Sequence, residues 1–111
     1  MIKSWTDAAW EDFCYWQTQD KKTLRRILAL IKDIDRNGYI GIGKPEPLLG
    51  DLSGYWSRRI DDANRLVYKI EDNIIKIVQC GSHYRDNQIL YNVKYQDDCK
   101  SITFLEVMLF F

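Results

Sequence analysis

The sequence lacks an excess of charge of either sign, because 16 lysines and arginines balance 16 aspartates and glutamates among its 111 residues. Proteins that bind nucleic acid nonspecifically usually carry a clear basic excess, so any contact with nucleic acid must be local. Long apolar runs are also missing. The longest, SITFLEVMLFF at positions 101–111, is too short to span a bilayer and is interrupted by Glu106. No signal peptide opens the chain, so we expect a cytoplasmic protein with no membrane partner.

Cysteine and histidine are scarce in this chain. Cys14, Cys80 and Cys99 are odd in number and far apart, which argues against a disulfide framework and against a zinc site. The only histidine, His83, lies at the end of an apolar run. A lone histidine can be a packed core residue, or it can transfer protons near neutral pH. Its position alone does not decide between the two.

The length predicts one domain, and the first part of the chain predicts a strand followed by two helices. MIKSW at positions 1–5 is a short strand candidate. Thr6 and Asp20 are good N-caps for the two helices, and Gly38 closes the second. The second helix has an apolar stripe at three- and four-residue spacing: Leu24, Ile27, Leu28, Ile31 and Ile34. Because almost nothing separates the helices, they should form a hairpin.

The next stretch, GYIGIGKPEPLLGDLSG at positions 38–54, contains five glycines and both prolines of the chain. Such a long loop in a compact domain is usually functional. After it, the apolar period changes to two residues in three segments separated by short turns: YWSRRI, NRLVYKI and NIIKIVQC. This pattern predicts an α+β fold of order β-α-α-β-β-β, in which an antiparallel sheet packs on the helical hairpin.

Charged residues in these segments are candidates for a functional site. Glu46 lies between two prolines, so a stiff segment presents its carboxylate; the alternative is a surface turn acid. Arg58 and Arg59 point to opposite faces of a strand, one toward the helices or solvent and the other toward the open face of the sheet. The alternative is two edge arginines with solvated ends. Arg65 could lie beside Arg59 across a strand pair, or form a salt bridge to the aspartates of the preceding turn.

Together with His83, these residues could cut RNA without a metal ion or another cofactor. Glu46 could remove the proton of the RNA 2′-hydroxyl as general base, and His83 could protonate the leaving 5′ oxygen as general acid. Arg59 and Arg65 could stabilise the charge that grows on the phosphate oxygens. Tyr84 could stack on a splayed nucleotide. The set therefore favours a ribonuclease.

The same segments resemble a known family. GKPEPL, LSGYWSRRID, NRLVYKI and the terminal HY pair are similar to the YoeB-type toxins of the RelE superfamily, as are WTDAAWEDFCYWQTQDKKTLRRI and LIKDI nearer the start. The similarity runs from position 1 to 84. It defines a toxin domain at 1–84 and a C-terminal extension at 85–111.

The resemblance implies a toxin of a type II toxin–antitoxin system that cleaves messenger RNA in the ribosomal A site. It implies Glu46 as base, His83 as acid, Arg59 and Arg65 as phosphate-binding residues, and Tyr84 as the stacking aromatic. The resemblance also implies Lys44, in the GKPEPL motif, as a further phosphate contact. The expected partners are a YefM/Phd-like antitoxin, the ribosome and a second copy of the chain, with operator DNA bound only through the toxin–antitoxin complex.

The extension departs from the family, whose members typically end at or just after the HY pair. QILYNVKY at positions 88–95 alternates and suggests a further strand. The extension could stay loose, add a strand or an interface segment, or fold over the site and silence the toxin. A second alternative to the enzyme is an interaction module of the same fold that binds antitoxin and DNA without cleaving anything.

Overall fold

The computed structural model describes residues 1–82. Within that range, two helices pack on one five-stranded sheet whose strand order is β1-β5-β4-β3-β2. The elements are β1 (Ile2–Trp5), α1 (Asp7–Gln19), α2 (Lys21–Asn37), β2 (Glu46–Pro47), β3 (Trp56–Arg59), β4 (Arg65–Glu71) and β5 (Ile74–Gly81), with a 3-10 turn at Gly50–Leu52. The predicted α+β class and its helical hairpin are confirmed.

Two features of the sheet differ from the expected antiparallel meander. β1 pairs with β5 in parallel, with Ile2 opposite Ile74. The predicted loop also contains a short strand, because Glu46 and Pro47 pair antiparallel with β3. Proline cannot donate to a strand ladder, and β2 accordingly lies at the edge of the sheet.

Capping residues define the helical hairpin. The Thr6 hydroxyl oxygen accepts a hydrogen bond from the Ala9 N–H at 3.1 Å, which starts α1. Asp20 alone separates the helices, and its carboxylate accepts from the N–H groups of Lys22 and Thr23. Because one residue both ends α1 and caps α2, the chain reverses there with no intervening loop.

The core lies between the helices and one face of the sheet. All five residues of the predicted α2 stripe are buried, and they pack on β4 and β5 residues that are also fully buried: Leu66, Tyr68, Ile75 and Ile77. Full burial of an aliphatic side chain contributes about 1.5–3 kcal/mol. None of the helices in residues 1–82 is long and apolar enough to cross a membrane.

Side chains of α1 hold the last part of β5, beyond the point where β1 ends. The Asp12 carboxylate accepts a hydrogen bond from the Cys80 N–H at 3.2 Å, and the Trp16 indole N–H donates to the Cys80 carbonyl at 2.8 Å. The position from which the chain leaves the sheet is therefore fixed. Positions 83–111, which include the predicted extension, lie outside the described residues.

Candidate functional site

The strand register brings an acid and two arginines to the same face of the sheet. Glu46 is directly opposite Ser57, and Arg59 is directly opposite Arg65. Directly opposed residues share a face, and so do residues two apart on one strand, such as Ser57 and Arg59. Glu46, Arg59 and Arg65 therefore lie on one face of β2, β3 and β4. The side chain of Arg58, between them in sequence, points to the opposite face.

Glu46 is exposed on the two-residue strand β2. Within residues 1–82 its carboxylate forms no ion pair, so it can accept a proton from a bound molecule without first leaving a partner. Lys44 precedes it with a φ of 50°, in the left-handed region that side chains other than glycine seldom adopt. Lys44 is also exposed, so both charged residues of the GKPEPL motif, Lys44 and Glu46, are accessible to solvent.

Within residues 1–82, Arg65 donates hydrogen bonds to backbone carbonyls and to no carboxylate. Its Nη1 donates to the carbonyl oxygens of Asp61 at 2.6 Å, Asn64 at 3.1 Å and Asp62 at 3.3 Å. The alternative of a salt bridge to Asp61 or Asp62 is therefore wrong. Within residues 1–82, the turn occupies only Nη1, which leaves the Nε and Nη2 donors of Arg65 available to an anion.

The predicted position of Arg65 beside Arg59 is confirmed, since the two are cross-strand partners. Like charges directly opposite each other on a sheet are destabilising. Two neighbouring cations on one face attract an anion strongly, and guanidinium groups match the geometry of phosphate oxygens. The pair is thus better suited to binding a phosphate group than to stabilising the sheet.

Arg58 is fully buried, which excludes the alternative of a solvated edge arginine for this residue. All five N–H donors of its guanidinium have acceptors. Nε donates to the Tyr68 hydroxyl at 3.1 Å, and one Nη1 donor reaches the Asp33 carboxylate on α2. The other three acceptors are the carbonyl oxygens of Gly38, Ile40 and Ile42, at 2.8, 3.0 and 3.1 Å.

The Asp33 carboxylate completes this arrangement. It also accepts hydrogen bonds from the Ile42 N–H at 3.1 Å and from the Asn37 side-chain amide at 2.8 Å. The hydrogen bond from Arg58 lowers the pKa of Asp33 below its ordinary value, against the effect of burial, with smaller contributions from Ile42 and Asn37. Asp33 is therefore ionised at neutral pH. The sequence analysis did not single out Asp33; the signal was an aspartate preceding a glycine-rich loop.

His83 and Tyr84 lie outside the described residues. The strand that leads to them, β5, ends at Gly81, which is the cross-strand partner of Arg65. The chain thus leaves the sheet beside the arginine pair. The roles of His83 as acid and of Tyr84 as stacking aromatic remain predictions. Within residues 1–82, no three His, Cys, Asp or Glu side chains are grouped so that they could hold a metal ion.

Comparisons with known proteins assign the chain to a family. A family model described as YoeB-like toxin of bacterial type II toxin-antitoxin system matches residues 5–84. Toxin YoeB of Streptomyces coelicolor is 56% identical over 81 residues, which cover 73% of this chain and 96% of that toxin.

Solved structures agree with this assignment. The YoeB dimer from Staphylococcus aureus has a TM-score of 0.71 and 49% identity, over 76% of this chain and 98% of that one. YoeB in the YoeB-YefM complex from the same organism has a TM-score of 0.72 and 48% identity, with the same coverage of both chains. YafQ from Escherichia coli, at 18% identity and a TM-score of 0.58, shares the fold; the match covers 73% of this chain and 91% of that one. The family model spans most of the chain, and the YoeB relatives share about half of the aligned residues. The chain therefore belongs to the YoeB-like toxins of bacterial type II toxin–antitoxin systems.

Proposed function

We propose that this toxin is an endoribonuclease that cuts messenger RNA in the ribosomal A site. The main observation behind the proposal is the shared face of Glu46, Arg59 and Arg65 on three adjacent strands. A carboxylate with no ion pair within residues 1–82, on the same face as two arginines, combines a proton acceptor with a binding site for a phosphate group. The reaction needs no metal ion, because RNA supplies its own nucleophile, the 2′-hydroxyl.

Proton transfer is assigned to Glu46 and His83. Glu46 takes the proton of the 2′-hydroxyl as its oxygen attacks the neighbouring phosphorus atom, and the bond from phosphorus to the 5′ oxygen breaks. His83 gives its proton to that leaving oxygen. The products are a 2′,3′-cyclic phosphate and a 5′-hydroxyl, and the transferred protons leave Glu46 protonated and His83 neutral. General acid–base catalysis of this kind contributes typically about 10²–10⁴-fold to the rate.

The arginine pair stabilises the transition state. Negative charge grows on the non-bridging phosphate oxygens during the attack, and the uncommitted donors of Arg65 can bind them while its Nη1 is held by the turn. Arg59 presents a second guanidinium from the neighbouring strand, and Lys44 adds a cation near the base. Tyr84 stacks on the nucleotide next to the cleaved bond.

The ribosome presents the substrate. The full chain has no net charge, so long-range attraction to free RNA is weak. A messenger RNA held in the A site is already single-stranded and oriented, and the enzyme then needs only local contacts. Because the relatives from Staphylococcus aureus form a YoeB-YefM complex and a YoeB dimer, we also propose a YefM-like antitoxin and a homodimer for this chain. Operator DNA would be bound only by the toxin–antitoxin complex.

Cleavage of a messenger RNA on programmed ribosomes tests the proposal. The proteins compared are the full chain, a chain that ends at Tyr84, and His83→Gln in both lengths. We expect both unmodified lengths to cut and His83→Gln to lose activity. If only the shorter chain cuts, the extension silences the toxin. If neither length cuts while antitoxin binding is intact, the chain is an interaction module and the proposed activity is wrong.

A further inference from the structure

We infer that the ion pair of the fully buried Arg58 and the half-buried Asp33 is a positioning device for Glu46. The pair fixes the loop at residues 38–43, and this loop leads directly into the segment that carries the base. The inference rests on the proposed function. It assigns to Arg58 and Asp33 a role in the reaction although neither side chain is on the substrate face.

The contacts of the pair alternate along the loop. Arg58 donates to the carbonyl oxygens of Gly38, Ile40 and Ile42, and Asp33 accepts from the Ile42 N–H. One half-buried ion pair thus binds three carbonyls and one amide within five residues. A hydrophobic side chain of similar size would fill the same volume but would supply none of these donors to the loop carbonyls. Of the three carbonyls, only that of Gly38 has a second donor within residues 1–82, the Tyr68 hydroxyl at 3.3 Å.

Two glycines let the loop approach the pair closely. At Gly41 an added Cβ would lie 1.9 Å from Oδ2 of Asp33, and at Gly43 it would lie 3.2 Å from Cβ of Arg58. Both glycines have positive φ, 139° and 81°. The loop therefore lies directly against the ion pair, with no room for a side chain between them.

The anchored region ends close to Glu46. The carbonyl of Gly43 accepts from the Arg59 N–H at 2.7 Å, and only Lys44 and Pro45 lie between Gly43 and the base. Because the φ of Pro45 is restricted, the backbone at Pro45 can compensate little for a shift of the loop, and the shift moves Glu46. β2 pairs with β3 at only two positions, Glu46 and Pro47, and so short a strand cannot fix the carboxylate by itself.

Stability alone does not explain a buried arginine. Replacing a buried ion pair by apolar residues is often neutral or stabilising, so its presence is weak evidence for a stabilising role. What a guanidinium supplies is five donors in a rigid plane, which define one geometry of the loop. A misplacement of about 1 Å in a catalytic group can cost about a hundredfold in rate, so a fixed geometry has a direct effect on catalysis.

The test compares Asp33→Asn with Asp35→Asn. Both remove one carboxylate from α2, but within residues 1–82 Asp35 pairs with the N-terminal amine and with Lys3 and not with the loop. We expect Asp33→Asn to lower the single-turnover cleavage rate at saturating ribosomes by about tenfold or more, with unchanged affinity for the ribosome. Asp35→Asn should stay within about twofold of the wild type in both measurements.

A double variant separates positioning from general loosening. If Asp33 acts through Glu46, then Asp33→Asn in a Glu46→Gln background causes little further loss, because the base is already gone. If the double variant instead loses the product of the two single-variant losses in cleavage rate, the inference is overturned. Amide hydrogen exchange at Ile42 and Arg59 gives a readout independent of cleavage, and it should speed up in Asp33→Asn and not in Asp35→Asn.

Arg58→Lys is the second variant, for the case in which Asp33→Asn does not fold. It keeps the charge but cannot supply five planar donors, so the same loss of rate is expected. If the wild type cuts and both Asp33→Asn and Arg58→Lys cut as fast as the wild type, the positioning role is wrong. The proposed function is then unaffected. If the wild type does not cut on ribosomes, the proposed function fails first and this inference fails with it.

Discussion

At the scale of single residues, the candidate site combines groups that do not stabilise the fold. Glu46 is exposed and forms no ion pair within residues 1–82, and Arg59 is directly opposite another cation, Arg65. A sheet selected only for stability would place an acid opposite one of these arginines. In the proposed function, a bound phosphate group neutralises both arginines while Glu46 accepts a proton.

We predict that Glu46→Gln loses cleavage without losing stability. Removing a general base typically costs about 10²–10⁴-fold, whereas an exposed side chain contributes within about 0.5 kcal/mol to the free energy of unfolding. Ribosome cleavage rates and thermal melts measure the two effects. Asp51→Asn, an exposed acid elsewhere in the same loop region, is the matched control and should retain the wild-type rate. An unfolded Glu46→Gln would instead show that Glu46 is structural.

We predict that Arg59→Gln has opposite effects on stability and activity. Loss of the like-charge pair with Arg65 should raise the free energy of unfolding by about 0.2–1 kcal/mol, while the missing guanidinium lowers the cleavage rate. Chemical denaturation at low salt measures the first effect, and high salt should reduce it. Arg25→Gln, an exposed cation on α2, should change neither. A destabilised Arg59→Gln would mean that the arginine pair is not repulsive.

At the scale of elements, α2 and the loop after it form one unit. The apolar stripe of α2 packs on the sheet. Asp33, on the same helix, accepts a hydrogen bond from the loop through the Ile42 N–H. The length of the loop predicts a functional role, and its first part is held by Arg58 from beneath the sheet. Order in this loop is thus supplied by a side chain of β3.

We predict that the contribution of Asp33 to stability depends on pH. The pKa of Asp33 is lowered in the folded protein, so folding favours the ionised form. Its contribution is therefore full above the ordinary aspartate pKa of about 3.9 and is lost as the pH falls through the lower folded pKa. Asp33→Asn should cost about 2 kcal/mol at pH 7, because Arg58 stays buried without its charged partner.

Thermal melts of wild type and Asp33→Asn between pH 7 and acid measure this effect. The two melting temperatures should differ most at neutral pH and converge in acid, where the wild-type carboxyl is also protonated. Asp35→Asn, which removes a partly exposed ion pair, should cost no more than about 1 kcal/mol. A gap between wild type and Asp33→Asn that is constant with pH would contradict the assignment.

At the scale of the whole molecule, residues 1–82 contain two helices, a five-stranded sheet and the core between them. The match to Toxin YoeB of Streptomyces coelicolor covers 96% of that protein with 73% of this chain. The family fold therefore needs no contribution from most of the extension. The division into a toxin domain at 1–84 and an extension at 85–111 remains a prediction.

We predict that a chain truncated after Tyr84 folds cooperatively. Because the buried stripe of α2 packs on β4 and β5 within residues 1–82, the truncated chain retains this core. Circular dichroism, a single thermal transition and size-exclusion chromatography against the full chain measure the outcome. An insoluble product would show that the extension belongs to the core or to the dimer.

Local signals in the sequence predict the helices, the three longer antiparallel strands and the candidate site residues within residues 1–82. Capping residues and apolar periodicity are local signals, and they place α1 and α2 to within a residue of the structure. The motif around Glu46 identified the acid for the same reason, because neighbouring prolines are visible in the sequence.

How these elements meet depends on contacts between distant parts of the chain. The parallel pair of β1 and β5 joins segments about seventy residues apart, and no local pattern specifies such a partner. β2 has two residues, too few for a detectable period. Alternation shows that Arg58 and Arg59 face opposite sides of β3 but not which one is buried. That depends on the position of Asp33 and the loop carbonyls, which are brought beneath the sheet only when α2 packs against it.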